Sequence, residues 1–174
     1  VLGVTNVQDA IDALCQRIRS NTGCCVTVGR DGEFPALDIA IKALSEKYSE
    51  ICICLLPGNH HLTESINLQA QGLKLLIHGA GRGSQLILEG GKFNFMDLDA
   101  LSLRDFDILN IGDPIRLRVQ GTAEVQLHNM HISGMSRPGL SLVQISEAED
   151  IQISSSRLNT FQKEVTDTFK QVLS

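Results

Sequence analysis

"VQLHNMHI", residues 125–132, decides how this chain is read. Its two histidines suggest a small metal or acid–base site, while its alternating apolar positions suggest one unit of a repeat. Three other stretches align beneath it: LLIHGAGR (75–82), LSLRDFDI (101–108) and IQISSSRL (151–158). Each reads apolar, any, apolar, polar, turn residue, and the starts lie 26, 24 and 26 residues apart. A second series recurs at similar spacing, with starts 22 and 25 residues apart: FNF from Phe93, IRLRV from Ile115 and LSLVQI from Leu140. A unit of about 25 residues with three short strands cannot close its own core. Stacked units can, because the inward side chains of equivalent strands lie on one another. The pattern predicts a mainly β, parallel solenoid. An antiparallel sandwich would require hairpin turns such as Asn-Gly, and no repeated two-residue hairpin signal appears.

Within the unit, His78, Arg104, His128 and Ser154 share a column that points outward, because Ile77, Leu103, Leu127 and Ile153 beside them point inward. Gly79, Asp105, Asn129 and Ser155 form the next column, at a tight bend. His131 lies past that bend, in a column with Asp107 and Arg157. His128 and His131 therefore need not converge, and both read as surface residues. The adjacent pair His60 and His61 points to opposite sides, as neighbouring residues of a strand or turn do.

Outside the repeat, TNVQDAIDALCQRIR (5–19) places Val7, Ala10, Ile11, Leu14 and Ile18 at helical spacing behind a Thr5 or Asn6 cap. Residues 1–20 are thus expected to form a leading amphipathic helix or linker. A short β-branched strand bracketed by glycines follows, then a helix over residues 35–48 with Leu37, Ala40, Ile41 and Leu44 on one side. ICICLLPGNHHL (51–62) is apolar on both faces and predicts a strand buried on both. The solenoid is expected over residues 24–158, with the helix at 35–48 covering its first coil. At the other end Leu158, Phe161, Val165, Phe169 and Val172 are spaced for an amphipathic helix over residues 159–174, a second cap or a subunit contact.

Composition narrows the function classes. A net charge of −5 over 174 residues, from 15 basic and 20 acidic side chains, gives no clustered surplus of cations for nucleic acid. Aromatic residues are 4% of the chain, with no tryptophan, so any stacking ledge for sugars must come from six phenylalanines. No apolar run approaches the length that spans a bilayer, and no signal-peptide pattern opens the sequence. A soluble protein of open localisation, with no membrane partner, is expected. The five cysteines, Cys15, Cys24, Cys25, Cys52 and Cys54, are odd in number and confined to the first third, which argues against a disulfide framework. Cys52 and Cys54 share one face of a strand, but the zinc-knuckle spacing is missing.

VGRDGEFPALDIAIKAL (28–44) followed by ICICLLPGNHHLTESINLQAQGLKLLIHGAGRGSQLIL (51–88) resembles the opening of right-handed parallel β-helix proteins of the pectin lyase-like superfamily, particularly the pectinesterase type. The resemblance covers about residues 26–158. It implies a right-handed parallel β-helix; the repeats of this chain give few coils, four at most, and the helical spacing at its two ends gives capping helices at both. Members of the superfamily often stack asparagine or small polar residues at bends, and Asn129 resembles that ladder position, with Asp105 and Ser155 as substitutes. Such residues hydrogen-bond the turning backbone.

Enzymes that resemble this chain act on polysaccharides through carboxylates and a basic residue in a groove along one sheet. The nearest candidates are Asp97 and Asp99 in FMDLDAL (95–101), with Arg116 and Arg118 in IRLRVQ (115–120), expected to point outward. A lyase would add calcium held by acidic oxygens; otherwise no cofactor or metal is expected. The catalytic strand motifs of pectinesterases are not recognisable. The glycines of HGAGRGSQ (78–85) lack the lysine and helix of a phosphate-binding loop and read as a turn.

The function expected is a non-catalytic binding or structural module of a larger protein, phage-tail-like or cell-surface, contacting saccharide and its neighbouring domains. The alternatives are a polysaccharide lyase or esterase, and an assembly domain that forms homo-oligomers through its terminal helices.

Overall fold

The computed structural model describes residues 25–111, 117–134, 143–158 and 161–163. It is a parallel β-solenoid of about five turns. Strand β1 (Cys25–Val28) and helix α1 (Leu37–Ser45) come first. The first turn is β2 (Glu50–Leu55), β3 (Gly58–Leu62) and β4 (Ile66–Gln69); the second is β5 (Lys74–His78), β6 (Ser84–Leu88) and β7 (Phe93–Met96). The third turn is β8 (Ala100–Arg104), β9 (Asp107–Asn110) and β10 (Leu117–Gln120). The fourth is β11 (Glu124–His128), β12 (His131–Gly134) and β13 (Val143–Ser146), and the fifth is β14 (Asp150–Ser154), β15 (Arg157–Leu158) and β16 (Phe161–Lys163).

Equivalent strands stack into three sheets, all parallel. Sheet A runs β1-β2-β5-β8-β11-β14, sheet B runs β3-β6-β9-β12-β15, and sheet C runs β4-β7-β10-β13-β16. The register matches the first aligned series residue for residue: His78 pairs with Arg104, Arg104 with His128, and His128 with Ser154; the second series is offset, since Phe93 pairs with Leu117 rather than Ile115, and Leu117 with Val143 rather than Leu140. Inward positions form continuous apolar columns, such as Ile53, Ile77, Leu103 and Leu127 on sheet A. On sheet C the columns run through Phe93, Leu117 and Val143, and through Phe95, Val119 and Ile145. The rings of Phe93 and Phe95 lie 5.4 Å apart inside this core. Each such side chain contributes about 1.5–3 kcal/mol through burial, which lets short strands with few local contacts persist.

Helix α1 turns Leu37, Ala40, Ile41 and Leu44 into the same apolar cluster as the inward strand residues. It packs beside β1, β2 and β3 and spans less of the chain than residues 35–48. Asp38 in its first turn complements the positive end of the helix dipole.

Two kinds of corner recur. Between sheets A and B a left-handed residue, Asp105 (φ 58), Asn129 (φ 49) or Ser155 (φ 50), turns the chain. The next residue drops inward, as Phe106 and Met130 do at 1% exposure each. Between sheets C and A the left-handed position is Asp97 (φ 58), Gly121 (φ 64) or Glu147 (φ 54), followed by buried Leu98, Thr122 or Ala148. In the second turn the corner between sheets A and B is widened by a single 3₁₀ turn at Gly81–Gly83. A Cβ on Gly79 would lie 2.7 Å from the Asp105 carbonyl oxygen, so only glycine lets the third turn pass beneath.

Three expectations are corrected. The turns number about five, not four at most, because β15 and β16 complete a fifth. Residues 161–163, expected in a C-terminal helix, pair in parallel with β13 as a strand, since an open sheet edge offers backbone hydrogen bonds that an isolated helical start lacks. The rest of that expected helix, and the leading helix over residues 1–20, lie outside the described residues, so capping helices at both ends are not shown. Cys52 and Cys54 are disulfide-bonded, against the reading of an odd, unpaired cysteine set.

Candidate functional site

The sequence places its candidate acids on a sheet face, but the fold places them at a corner. Asp97 and Asp99 flank Leu98 in the bend between sheets C and A, where Asp97 is the left-handed residue. Side-chain alternation is interrupted there, so neither acid projects from the strand as β-periodicity alone would have it. Asp97 Oδ2 accepts a hydrogen bond from Gln69 Nε2 at 2.7 Å, and Asp99 Oδ1 accepts one from the Gly72 amide at 3.0 Å. Both carboxylates reach back to the preceding turn.

Arg118 lies on β10, exposed on the outer face of sheet C. It donates from Nη2 to Gln120 Oε1 at 3.0 Å, and Gln120 Nε2 donates in turn to Glu147 Oε2 at 3.0 Å. Arg116 lies outside the described residues. Among the described residues, Asp97, Asp99 and Arg118 each bond to a different neighbour, and no ion pair joins them.

The A–B corner carries the other candidate set. Asn129 Nδ2 donates to Asp105 Oδ1 at 2.8 Å, joining one turn to the one before it. The backbone amides of Gly79, Asp105 and Asn129 donate to Arg104, His128 and Ser154 carbonyls in the next turn, at 3.0, 3.1 and 3.0 Å. Asn and Asp tolerate the left-handed conformation better than other side chains, which suits them to this corner. Ser155 occupies the same place in the last turn.

The histidines of VQLHNMHI part company across this corner. His128 Nδ1 meets Ser154 Oγ at 2.8 Å, while His131 Nδ1 faces Asp107 Oδ2 at 3.9 Å on sheet B. His61 pairs with Glu89 at 2.7 Å on the surface, and His60 is buried with Nε2 2.7 Å from the Leu56 carbonyl. Nothing in the His60 neighbourhood of the sequence marks it as internal beyond its alternation with Leu62. His78 differs from all of these. Among the described residues, its Nε2 is buried with no hydrogen-bond partner. Burial pushes its pKa below the ordinary 6.5, with Arg104 acting in the same direction and Asp105 opposing.

On the outer face of sheet C, Asn67, Asn94, Arg118 and Gln144 form one column, and Gln69, Met96, Gln120 and Ser146 the next. Asn94 Nδ2 donates to Asn67 Oδ1 at 2.5 Å. An open groove of about 740 Å³ runs between α1 and β4, lined by Asp38, Ile39, Lys42, Glu46, Glu64 and Asn67 among others. Phe93, Phe95 and Phe106 are all buried, so they offer no stacking ledge. No helix among the described residues is long and apolar enough to cross a membrane.

No family model matches this chain, and no curated protein or solved structure matches it significantly.

Proposed function

We propose that the chain is a non-catalytic, right-handed β-helix module of the pectin lyase-like kind, acting as a structural or binding unit of a larger protein. One observation carries this reading: the outward polar side chains bond along the stack rather than converging. Gln69 to Asp97, Asn67 to Asn94, Gln120 to Glu147, Arg104 to Gln126 and Asn129 to Asp105 each link one turn to the next. A catalytic centre needs an acid and a base aimed at a common point within hydrogen-bond reach of a substrate. Side chains satisfied between coils instead stiffen a rod. Right-handedness rests on the strong general preference of parallel crossovers for that hand.

The module takes neighbouring domains of a longer chain as its partners, of a cell-surface or phage-tail-like kind, and needs no cofactor. The test is incubation with polygalacturonate and its methyl ester, with and without calcium, reading new reducing ends, unsaturated ends and released methanol. No turnover is expected. Turnover that disappears in Asp97→Asn would overturn the reading and restore a polysaccharide-active enzyme.

A second reading, weak saccharide contact, is favoured by the amides of sheet C. Side-chain amides offer both donors and acceptors, as sugar hydroxyls require. Binding of neutral oligosaccharides in a calorimetric panel should weaken in the Asn94→Ala, Gln120→Ala double variant; equal binding by both proteins removes sheet C as the contact face.

A further inference from the structure

The three sheets do not begin level with one another. Sheet A starts at β1, one strand ahead of the first full turn, whereas sheet C starts at β4. Helix α1 packs beside β1, β2 and β3, and β4 lies across the 740 Å³ groove from it. Among the described residues β4 is therefore an edge strand. Ile66 and Ala70 donate their amides to the Lys92 and Met96 carbonyls of the next turn, so alternation aims the N–H and C=O groups of Asn67 and Gln69 away from β7. An exposed edge of this kind is a template for a further strand, and proteins ordinarily blunt it with charge, proline or a covering element. β4 reads Ile-Asn-Leu-Gln and carries neither charge nor proline.

The groove beside this edge is apolar on one side and acidic on the other. Ile66 and Leu68 line it at 6% and 7% exposure, where Phe93 and Phe95, stacked on them in the next turn, stand at 2% and 0%. Ile39 of α1 adds an exposed aliphatic side chain to the same lining. Asp38, Lys42 and Glu46 follow one another at four-residue spacing along α1 and its cap, and Glu64 stands just ahead of β4. Three carboxylates thus face one ammonium, and none of the four is ion-paired among the described residues. The volume falls within the range of about 300–1,000 Å³ found for clefts that hold ligands.

We propose that this groove docks an extended, basic segment of a partner protein, which adds to β4 as a further strand of sheet C. The backbone of that segment bonds to the N–H and C=O groups of Asn67 and Gln69. Its alternate apolar side chains extend the columns that begin at Ile66 and Leu68, and its lysine or arginine side chains meet the carboxylates of Asp38, Glu46 and Glu64. In strand addition of this kind main-chain bonds supply affinity and alternate side chains supply selection. A second copy of this chain fits less well, because a two-fold contact sets each acidic wall against itself. The inference adds an interface to the proposed module and stands whether or not the chain is catalytic.

The test is an amide-resolved NMR titration of the full chain with the end-blocked peptide Lys-Val-Arg-Val-Lys-Val, with Glu-Val-Glu-Val-Glu-Val as its control. Saturable binding of the basic peptide alone is expected, with the Asn67 and Gln69 amides becoming protected from solvent exchange. The double variant Glu46→Lys, Glu64→Lys should weaken binding about tenfold, since two attractions become repulsions. Asn67→Pro removes the edge N–H and keeps the bonds to β7, and should weaken binding about as much. No saturation at about 1 mM peptide, equal affinity in wild type and the charge variant, or binding that leaves both amides exchanging freely would each overturn the proposal. Should Asn67→Pro fail to fold, the charge variant and the amide protection decide by themselves. Sedimentation of the chain alone is expected to show a monomer; a dimer that Asn67→Pro dissociates would put a second copy in the groove and equally overturn the proposal.

Discussion

The outer faces of sheets A and C differ although their inner faces are alike. Both sheets send alternate aliphatic and aromatic side chains into one core; through the first four turns these are almost wholly buried, while Ile151 and Ile153 of the fifth turn are only partly so. Outside, the first turn of sheet C shows Asn67 and Gln69 to solvent, while the first turn of sheet A hides two cysteines. Inward chemistry thus follows from the solenoid itself, since any turn must fill the same interior. Outward chemistry follows from what each face meets. An amide strip suits water or a hydrogen-bonding ligand; a buried cysteine pair beside half-buried Leu76 is an apolar surface that water does not reach.

The comparison assumes one shared core, and Phe95→Ala tests that most severely. Phe95 is fully buried at the centre of the sheet C column, and its truncation should lower the unfolding free energy by about 3–5 kcal/mol in urea titration. A loss under about 1 kcal/mol would mean that sheet C does not rest on the core that sheet A rests on.

Reduction with a phosphine should act on sheet A and leave sheet C alone. Thermal unfolding of the reduced chain is expected to show a loss of about 2–4 kcal/mol. Proteolysis near residues 66–69 should proceed at the oxidised rate; matched loss at both faces would erase the distinction between them.

Gly121→Val probes the corner joining the two sheets. Gly121 sits at φ 64, and a Cβ there would lie 2.5 Å from Asp97 Oδ1. A loss of about 1–3 kcal/mol is expected, with Gly121→Asn falling closer to wild type, because Asn tolerates the left-handed region. Equal losses in the two variants would mean that the clash with Asp97, not the backbone angle, sets the cost.

The pH dependence of sheet A follows from His78. Its folded pKa is lowered by burial, against an opposing pull from Asp105 and with a smaller push from Arg104, so the unfolded chain binds the proton more readily. His78 therefore favours folding above its ordinary 6.5, and this contribution is lost as pH falls from there through the lowered folded value. Chemical denaturation across this window should give wild type a steeper fall than His78→Gln. Identical slopes would mean the imidazole is not buried as described.

Asn94→Ala, on the strip of sheet C, should change stability by no more than about 0.5 kcal/mol, since its bond to Asn67 lies at the surface. A larger loss would turn the amide strip from a surface feature into a structural ladder.

Much of this was legible in the residues. The columns through Ile77, Leu103 and Leu127, the bend at Asn129 and the helix around Leu37 to Leu44 all follow from period-two and helical spacing, which single-chain patterns carry directly. The corner acids were misplaced because alternation was carried one residue too far, through the left-handed Asp97 that reverses it. The bonding of Cys52 and Cys54 was missed because cysteine parity counts only totals, and an odd total does not exclude pairs.

By itself the sequence determined that turns of about 25 residues would stack in parallel, because a repeated apolar alternation has only its own copies to bury against. Tertiary structure alone decided which outward residues are covered, which acids reach back to a neighbouring turn, and that Asp97 and Arg118 do not meet. Those outcomes depend on distances between turns and on corner geometry, which no local pattern of side chains encodes.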